Sequence, residues 1–231
     1  MPHTWLVWSS WAALALAFAS AAVILFDIYG RGNRQRMGVM EAVWPVTALY
    51  AGPIAVWAYR RFGRPMSPRW LARSGREEPS GKPSWATTGV GVSHCGAGCT
   101  LGDVIAAFAV FWLGITIAGT AFWAELIGDY VLAVLLGLLF QFFAIAPMRG
   151  LGLVAGIKAA AKADILSLTA FEVGLFGWMA LMHFVLFLAP HHLHPDSPVY
   201  WFLMQIGMCI GFATSWPANV WLIRRGTKEA M

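Results

Sequence analysis

The chain has 231 residues, of which 59% are apolar and only 12% charged, with a formal net charge of +5. Soluble domains carry about 25% charged residues, so half the usual hydrated surface is missing and water is excluded as the main solvent. The basic balance calls for no nucleic acid, because basic loops beside anionic lipid account for it.

Runs of about 20 apolar residues match a hydrocarbon core of about 30 Å at a helical rise of 1.5 Å per residue. Six such runs occur, at 5–27, 39–59, 104–123, 130–147, 165–189 and 199–223. Lipid offers no partner to the backbone, so each run must be helical. The expected fold is an all-α polytopic membrane protein of about six transmembrane helices. Trp5, Trp8, Trp57, Trp123, Trp201 and Trp221 stand near run ends, as interfacial anchors do. The first run follows MPHT, without Lys or Arg, and is too long for a signal-peptide core, so it reads as a retained helix. The second run carries Pro45 and Pro53, which leaves a tilted or re-entrant course open beside a full crossing.

Residues 61–92 are rich in Arg, Pro, Gly and Ser and read as a basic linker. They divide an N-terminal hairpin, 1–60, from a four-helix unit, 93–231. With six spans, residues 60–92, 148–164 and the C-terminal tail share one side and hold every Lys and Arg except Arg31, Arg34 and Arg36. The positive-inside rule makes that side cytoplasmic and puts both termini inside. The three remaining arginines then face outward, against the rule. The stretch MRGLGLVAGIKAAAKAD reads as an amphipathic surface helix, with Lys158 and Lys162 one turn apart.

The motif SHCGAGCTLGD, residues 93–103, offers metal-ligating groups. Gly96 and Gly98 argue for a loop in which Cys95 and Cys99 converge. Thr100 and Asp103 resemble a helix cap, which would set Cys99 at a helix N-terminus, where thiolates are stabilised. His94 and Asp103 complete a four-ligand set suited to Cu(I) or Zn(II). Redox chemistry at the thiols, and a tight helix start without chemistry, are the competing readings.

On the fifth run Glu172, Met179 and His183 fall within about 20° of one stripe and span about 16 Å. Ionisable groups inside a span mark a pathway or a buried pair. On the sixth run Met204 and Met208 share a face, and Met is both a soft ligand and a packing residue. The loop APHHLHPDSP places His191, His192 and His194 together, as an outer metal site or as solvated side chains.

The pieces SHCGAGCTLGD, FQFFAIAPMRG, AAKADILSLTAFEVGLFGWM and YWFLMQIGMCIGFATSWPANVWLIRRGTKEAM occur in order over residues 93–231. Together they resemble a bacterial integral-membrane family of unknown function. The resemblance implies a four-helix membrane unit and no established activity, substrate or catalytic residue. His94, Cys95, Cys99, Asp103, Lys162, Asp164 and Glu172 fall within these pieces.

The leading functional expectation is an inner-membrane protein that binds, and can transport, a soft or borderline metal ion, copper ahead of zinc. A soluble metal carrier or another membrane subunit is the expected partner beside the lipid bilayer. No GxxxxGK[ST] nucleotide motif is present. The alternatives are a membrane thiol oxidoreductase using Cys95 and Cys99, and a non-catalytic assembly subunit.

Overall fold

A computed structural model describes residues 4–79, 81–150, 152–187 and 192–228, with the side chains of 144–149 and 163 left aside. The fold is all-α. Its helices are α1 (Thr4–Leu25, extended to Gly30 by a wider π turn), α2 (Met40–Ala51), α3 (Pro53–Ala58), α4 (Pro68–Ser74), α5 (Ser84–Leu113), α6 (Ala121–Arg149), α7 (Leu153–Leu181, extended to Leu186) and α8 (Pro198–Arg224). Among the described residues five helices are long and apolar enough to cross a membrane: Thr4–Gly30, Ser84–Leu113, Ala121–Phe143, Asp164–Leu186 and Pro198–Arg224. Their outward side chains are apolar, with Trp8 at 72%, Trp112 at 74% and Val173 at 64% exposure. Lipid covers such a surface at no cost, whereas water does not.

The expected second crossing is a re-entrant hairpin instead. α2 ends at Gly52, whose φ of 52° and ψ of −130° suit glycine and strain any residue with a Cβ. Pro53 starts α3 in a new direction as its first helical residue. The two arms then lie side by side: the Trp44 and Tyr59 rings meet edge to face at 5.8 Å. The Trp44 indole also fills the space a Cβ at Gly63 would need. Twelve residues rise only about 18 Å, so the tip at Leu49–Gly52 stops near the middle of the bilayer. There Gln205 donates to the Leu49 carbonyl at 2.7 Å and the Cys209 thiol reaches the Tyr50 carbonyl at 3.8 Å. Irregular backbone at that depth is tolerated because α5 and α8 enclose it.

The hairpin also returns the chain to the end where α1 finishes. Asp27, near that end of α1, accepts from Tyr59 Oη at 2.8 Å and Asn33 Nδ2 at 3.0 Å, and faces Arg64 Nε at 3.4 Å. Arg34 Nε bonds Glu41 Oε1 at 2.7 Å and locks the loop onto α2. Arg31, Arg34 and Arg36 therefore share an end of the molecule with the basic segment 60–82.

α5, α6, α7 and α8 form the bundle, each adjacent pair in contact and α5 closing against α8, while α1 and α2 pack outside on α8 and α5. The run expected at 104–123 starts twenty residues earlier, so SHCGAGCTLGD is the middle of α5 and not a loop before it. Its glycines serve close helix approach. A Cβ on Gly98 would lie 2.7 Å from the Gly137 Cα, and one on Gly102 would lie 2.6 Å from the Ala133 nitrogen. Small residues at this spacing let two backbones touch, the usual device of membrane helix pairs. The stretch 153–164 is likewise the first part of α7 and no separate surface helix.

Two outcomes follow. Single cysteines at positions 36 and 73 will react with an impermeant thiol reagent from the same membrane face, and a cysteine at position 5 from the other; labelling of 36 and 73 from opposite faces would contradict the re-entrant hairpin. Gly102→Val will push α5 off α6 and cost about 1–3 kcal/mol, read as a lowered unfolding midpoint in detergent; an unchanged midpoint would contradict the contact.

Candidate functional site

Three helices each bring a carboxyl group into one region of the bundle interior, within electrostatic reach of one another. Asp103 on α5, Asp129 on α6 and Glu172 on α7 are 0%, 1% and 1% exposed. Asp103 lies within electrostatic reach of both others. None of their six carboxyl oxygens has a hydrogen-bond partner among the described residues. Such groups are costly at this depth, and a proton or a cation is what satisfies them.

The spacing of α5 sets a stripe at four-residue intervals: Gly91, Cys95, Cys99 and Asp103 face the interior in turn. Cys99 is fully buried beside both Cys95 and Glu172. Mid-helix, it has no helix N-terminus to stabilise a thiolate, contrary to the loop expectation. Cys95 accepts from Ser167 Oγ at 3.2 Å. Ser167 joins a small polar knot: Asn219 Nδ2 donates to it at 2.6 Å and to Ser215 Oγ at 2.9 Å, and Ser215 Oγ donates to the Ser167 carbonyl at 3.0 Å. Beyond the knot, at the basic end, Lys228 Nζ donates to Asp164 Oδ1 at 2.6 Å, both side chains being 0% exposed. Burial pushes the Lys228 ammonium pKa down, but the facing carboxylate more than offsets this and holds it above the usual 10.5. The stability this adds is present below that value and is lost only as pH rises through the raised one.

At the other end, Glu125 and Asp129 stand one turn apart on α6, and Tyr200 Oη donates to Glu125 Oε2 at 3.4 Å. Glu125, Met179, Met182, His183, His192 and Tyr200 line a cavity of about 40 Å³, room for a water or a bare ion. The His183 and His192 rings stack there at 4.2 Å. Polar groups thus follow one another from this cavity through Asp129, Asp103, Glu172, Cys99 and Cys95 to Asp164. On α7 alone, Asp164 to His183 covers about 28 Å, the depth of a hydrocarbon core.

Of the residues singled out from the sequence, Cys95, Cys99, Asp103 and Glu172 come together, and Met179 and His183 lead to them from the far cavity. His94 is fully buried on the same helix, with both ring nitrogens unpartnered among the described residues and Phe140 of α6 edge-on at 6.3 Å. Met204 and Met208 turn away, lining with Thr100 an apolar cavity of about 280 Å³ between α1, α2, α5 and α8. His192 joins the far cavity, while His194 packs against Phe111 at 6.0 Å. His191 lies outside the described residues. Among the described residues no three His, Cys, Asp or Glu side chains stand close enough to hold a metal ion as placed.

Glu125 and Asp129 were missed because the run expected at 130–147 starts too late. In the structure α6 begins at Ala121. Two acids one turn apart in front of an apolar run was the signal. The Asp164–Lys228 pair, 64 residues apart, leaves no trace in periodicity.

No curated protein and no solved structure matches the chain. A family match covers residues 84–228, from the first residue of α5 to Lys228, and so takes in the whole four-helix bundle and its polar interior. The chain belongs to the family described as Domain of unknown function (DUF4396).

Proposed function

We propose that this protein binds a cation inside the membrane, at Asp103, Asp129, Glu172 and Cys99, and passes it along the polar line of the bundle. The observation that carries the reading is the set of three buried carboxyls, from three helices beside a buried thiol, that have no hydrogen-bond partner among the described residues. A structural role alone would leave each carboxyl with a donor, as Asp27 and Glu41 have in the N-terminal hairpin. Carboxylates with a thiol suit a borderline divalent ion. The added oxygen donors tilt the choice from copper to zinc. Metal chelation requires the side chains to close in from where they stand, which rotamer changes on small residues such as Asp and Cys can supply. The ion would enter from the far cavity, past Glu125, His183 and His192, and leave near Asp164. A soluble metal carrier or a second membrane subunit would meet it at either end.

The thiol-oxidoreductase alternative has less support. Cys95 and Cys99 are wholly enclosed, and Cys209, exposed on α8, bonds the tip of the hairpin. Gathering Arg31, Arg34 and Arg36 with segment 60–82 removes the exception to the positive-inside rule. In a bacterial inner membrane this favours a cytoplasmic C-terminus and an external N-terminus, in place of both termini inside.

Purified without a His tag and equilibrated with Zn(II), the protein will retain about one metal equivalent by elemental mass spectrometry. Loss of a supporting group near a metal costs about 10- to 100-fold in affinity, so Asp103→Asn and Glu172→Gln, which remove ligands, will weaken binding by at least that. Cys99→Ser will weaken it less for zinc than for Cu(I). Equal metal in wild type and both carboxyl variants would overturn the reading.

A further inference from the structure

The last described residues behave unlike an ordinary tail. After α8 the chain turns at Gly226, with φ of 65°, and the amides of Thr227 and Lys228 both return to the Leu222 carbonyl, at 3.0 and 3.3 Å. That turn sends the Lys228 side chain back into the bundle, where the residue is 2% exposed. Its ammonium meets Asp164 Oδ1 at 2.6 Å and Ser167 Oγ at 3.5 Å. Gly91 of α5 borders this space: a Cβ there would stand in van der Waals contact, 4.0 Å from Lys228 Cε and 3.9 Å from Asn219 Oδ1.

The ammonium does not use up the acceptors around it. Among the described residues Asp164 Oδ2 and Asn219 Oδ1 are buried and have no partner, and the Cys95 sulfur is one hydrogen bond away through Ser167. A lysine needed only for an ion pair could make one at the surface, where a long basic side chain keeps its hydration. Here it is fully dehydrated at the point where the polar line of the bundle meets the basic end.

We propose that Asp164, Ser167, Asn219 and Cys95 form a second cation site at the basic end of the bundle, and that Lys228 fills it as a tethered cation that stoppers the line. The proposal rests on the reading of the bundle interior as a cation path, and adds to it an occupant that must leave before a metal ion can pass. A mobile cation and the ammonium compete for the same carboxylate, so release of the tail and occupation by metal are one exchange.

The test uses the full chain with Cys95 as its single thiol, Cys99 and Cys209 being replaced by Ser, in vesicles that expose the basic end. A small, impermeant, positively charged thiosulfonate reports access to Cys95. With Lys228 present labelling will be slow; Lys228→Ala will speed it at least about tenfold, and Lys228→Arg will not. Because Lys228→Ala strands a buried carboxylate, the neutral pair Asp164→Asn with Lys228→Ala is run beside it, with size-exclusion profiles as the folding control, and will label fast as well. Zinc chloride will slow labelling of Lys228→Ala and leave the neutral pair unaffected. Unchanged labelling on removal of Lys228, or fast labelling of the single variant Lys228→Ala that zinc does not slow, would overturn the proposal. Access to Cys95 is read without any metal, so the stopper stands or falls apart from binding at Asp103 and Glu172.

Discussion

A carboxyl group in the middle of a bilayer has no water to turn to, and placing one on an isolated helix costs about 2.5–3.5 kcal/mol on insertion scales. This chain carries Asp103, Asp129 and Glu172 on three of its helices, so the four-helix bundle is the only place these residues can go. The enclosure depends in turn on α5 and α6 touching backbone to backbone at Gly98 and Gly102. Larger residues there would separate the helices and open the carboxyls to lipid. The glycines of α5 and the three acids of the bundle belong to one device: small residues bring the helices together, and the acids occupy what the contact encloses.

The N-terminal hairpin adds a collar to this bundle. Its tip reaches the level of Gly96, where the Tyr50 hydroxyl stands 3.3 Å from the position a Cβ would take. Tyr50 is also buried, and its hydroxyl lacks a partner among the described residues. The re-entrant course follows from Gly52 and Pro53 together, since a positive φ ends one helix and a proline begins another. It also gathers the arginines at one end. The hairpin lies outside the stretch shared with the family, which begins at Ser84.

Fold class was legible because lipid imposes a single solution on apolar runs of this length. Boundaries were less so. Apolarity alone counted residues 39–59 as a crossing, whereas the geometry of one glycine turns the chain back. The same bias moved α5 and α6 toward the chain's greasier stretches and set HCGAGC in a loop. Soluble-protein habits make Gly a helix breaker, but inside a membrane bundle it is a contact residue. Cys95, Cys99, Asp103 and Glu172 could be picked by chemistry, and the four-residue periodicity of the first three on one face follows from α5 once its limits are right. Lys228 could not, because a tail that folds back through 64 residues of sequence separation carries no local pattern.

The account turns on a cation held by carboxylate and thiol together at the centre of the bundle. X-ray absorption at the zinc edge on loaded wild-type protein and on Cys99→Ser tests this most directly. The account predicts a mixed shell, with oxygen neighbours at about 2.0–2.2 Å and a sulfur neighbour at about 2.3 Å, the sulfur lost in the variant. A shell of nitrogen neighbours alone, unchanged by Cys99→Ser, would place the metal among the histidines of the far cavity and contradict it.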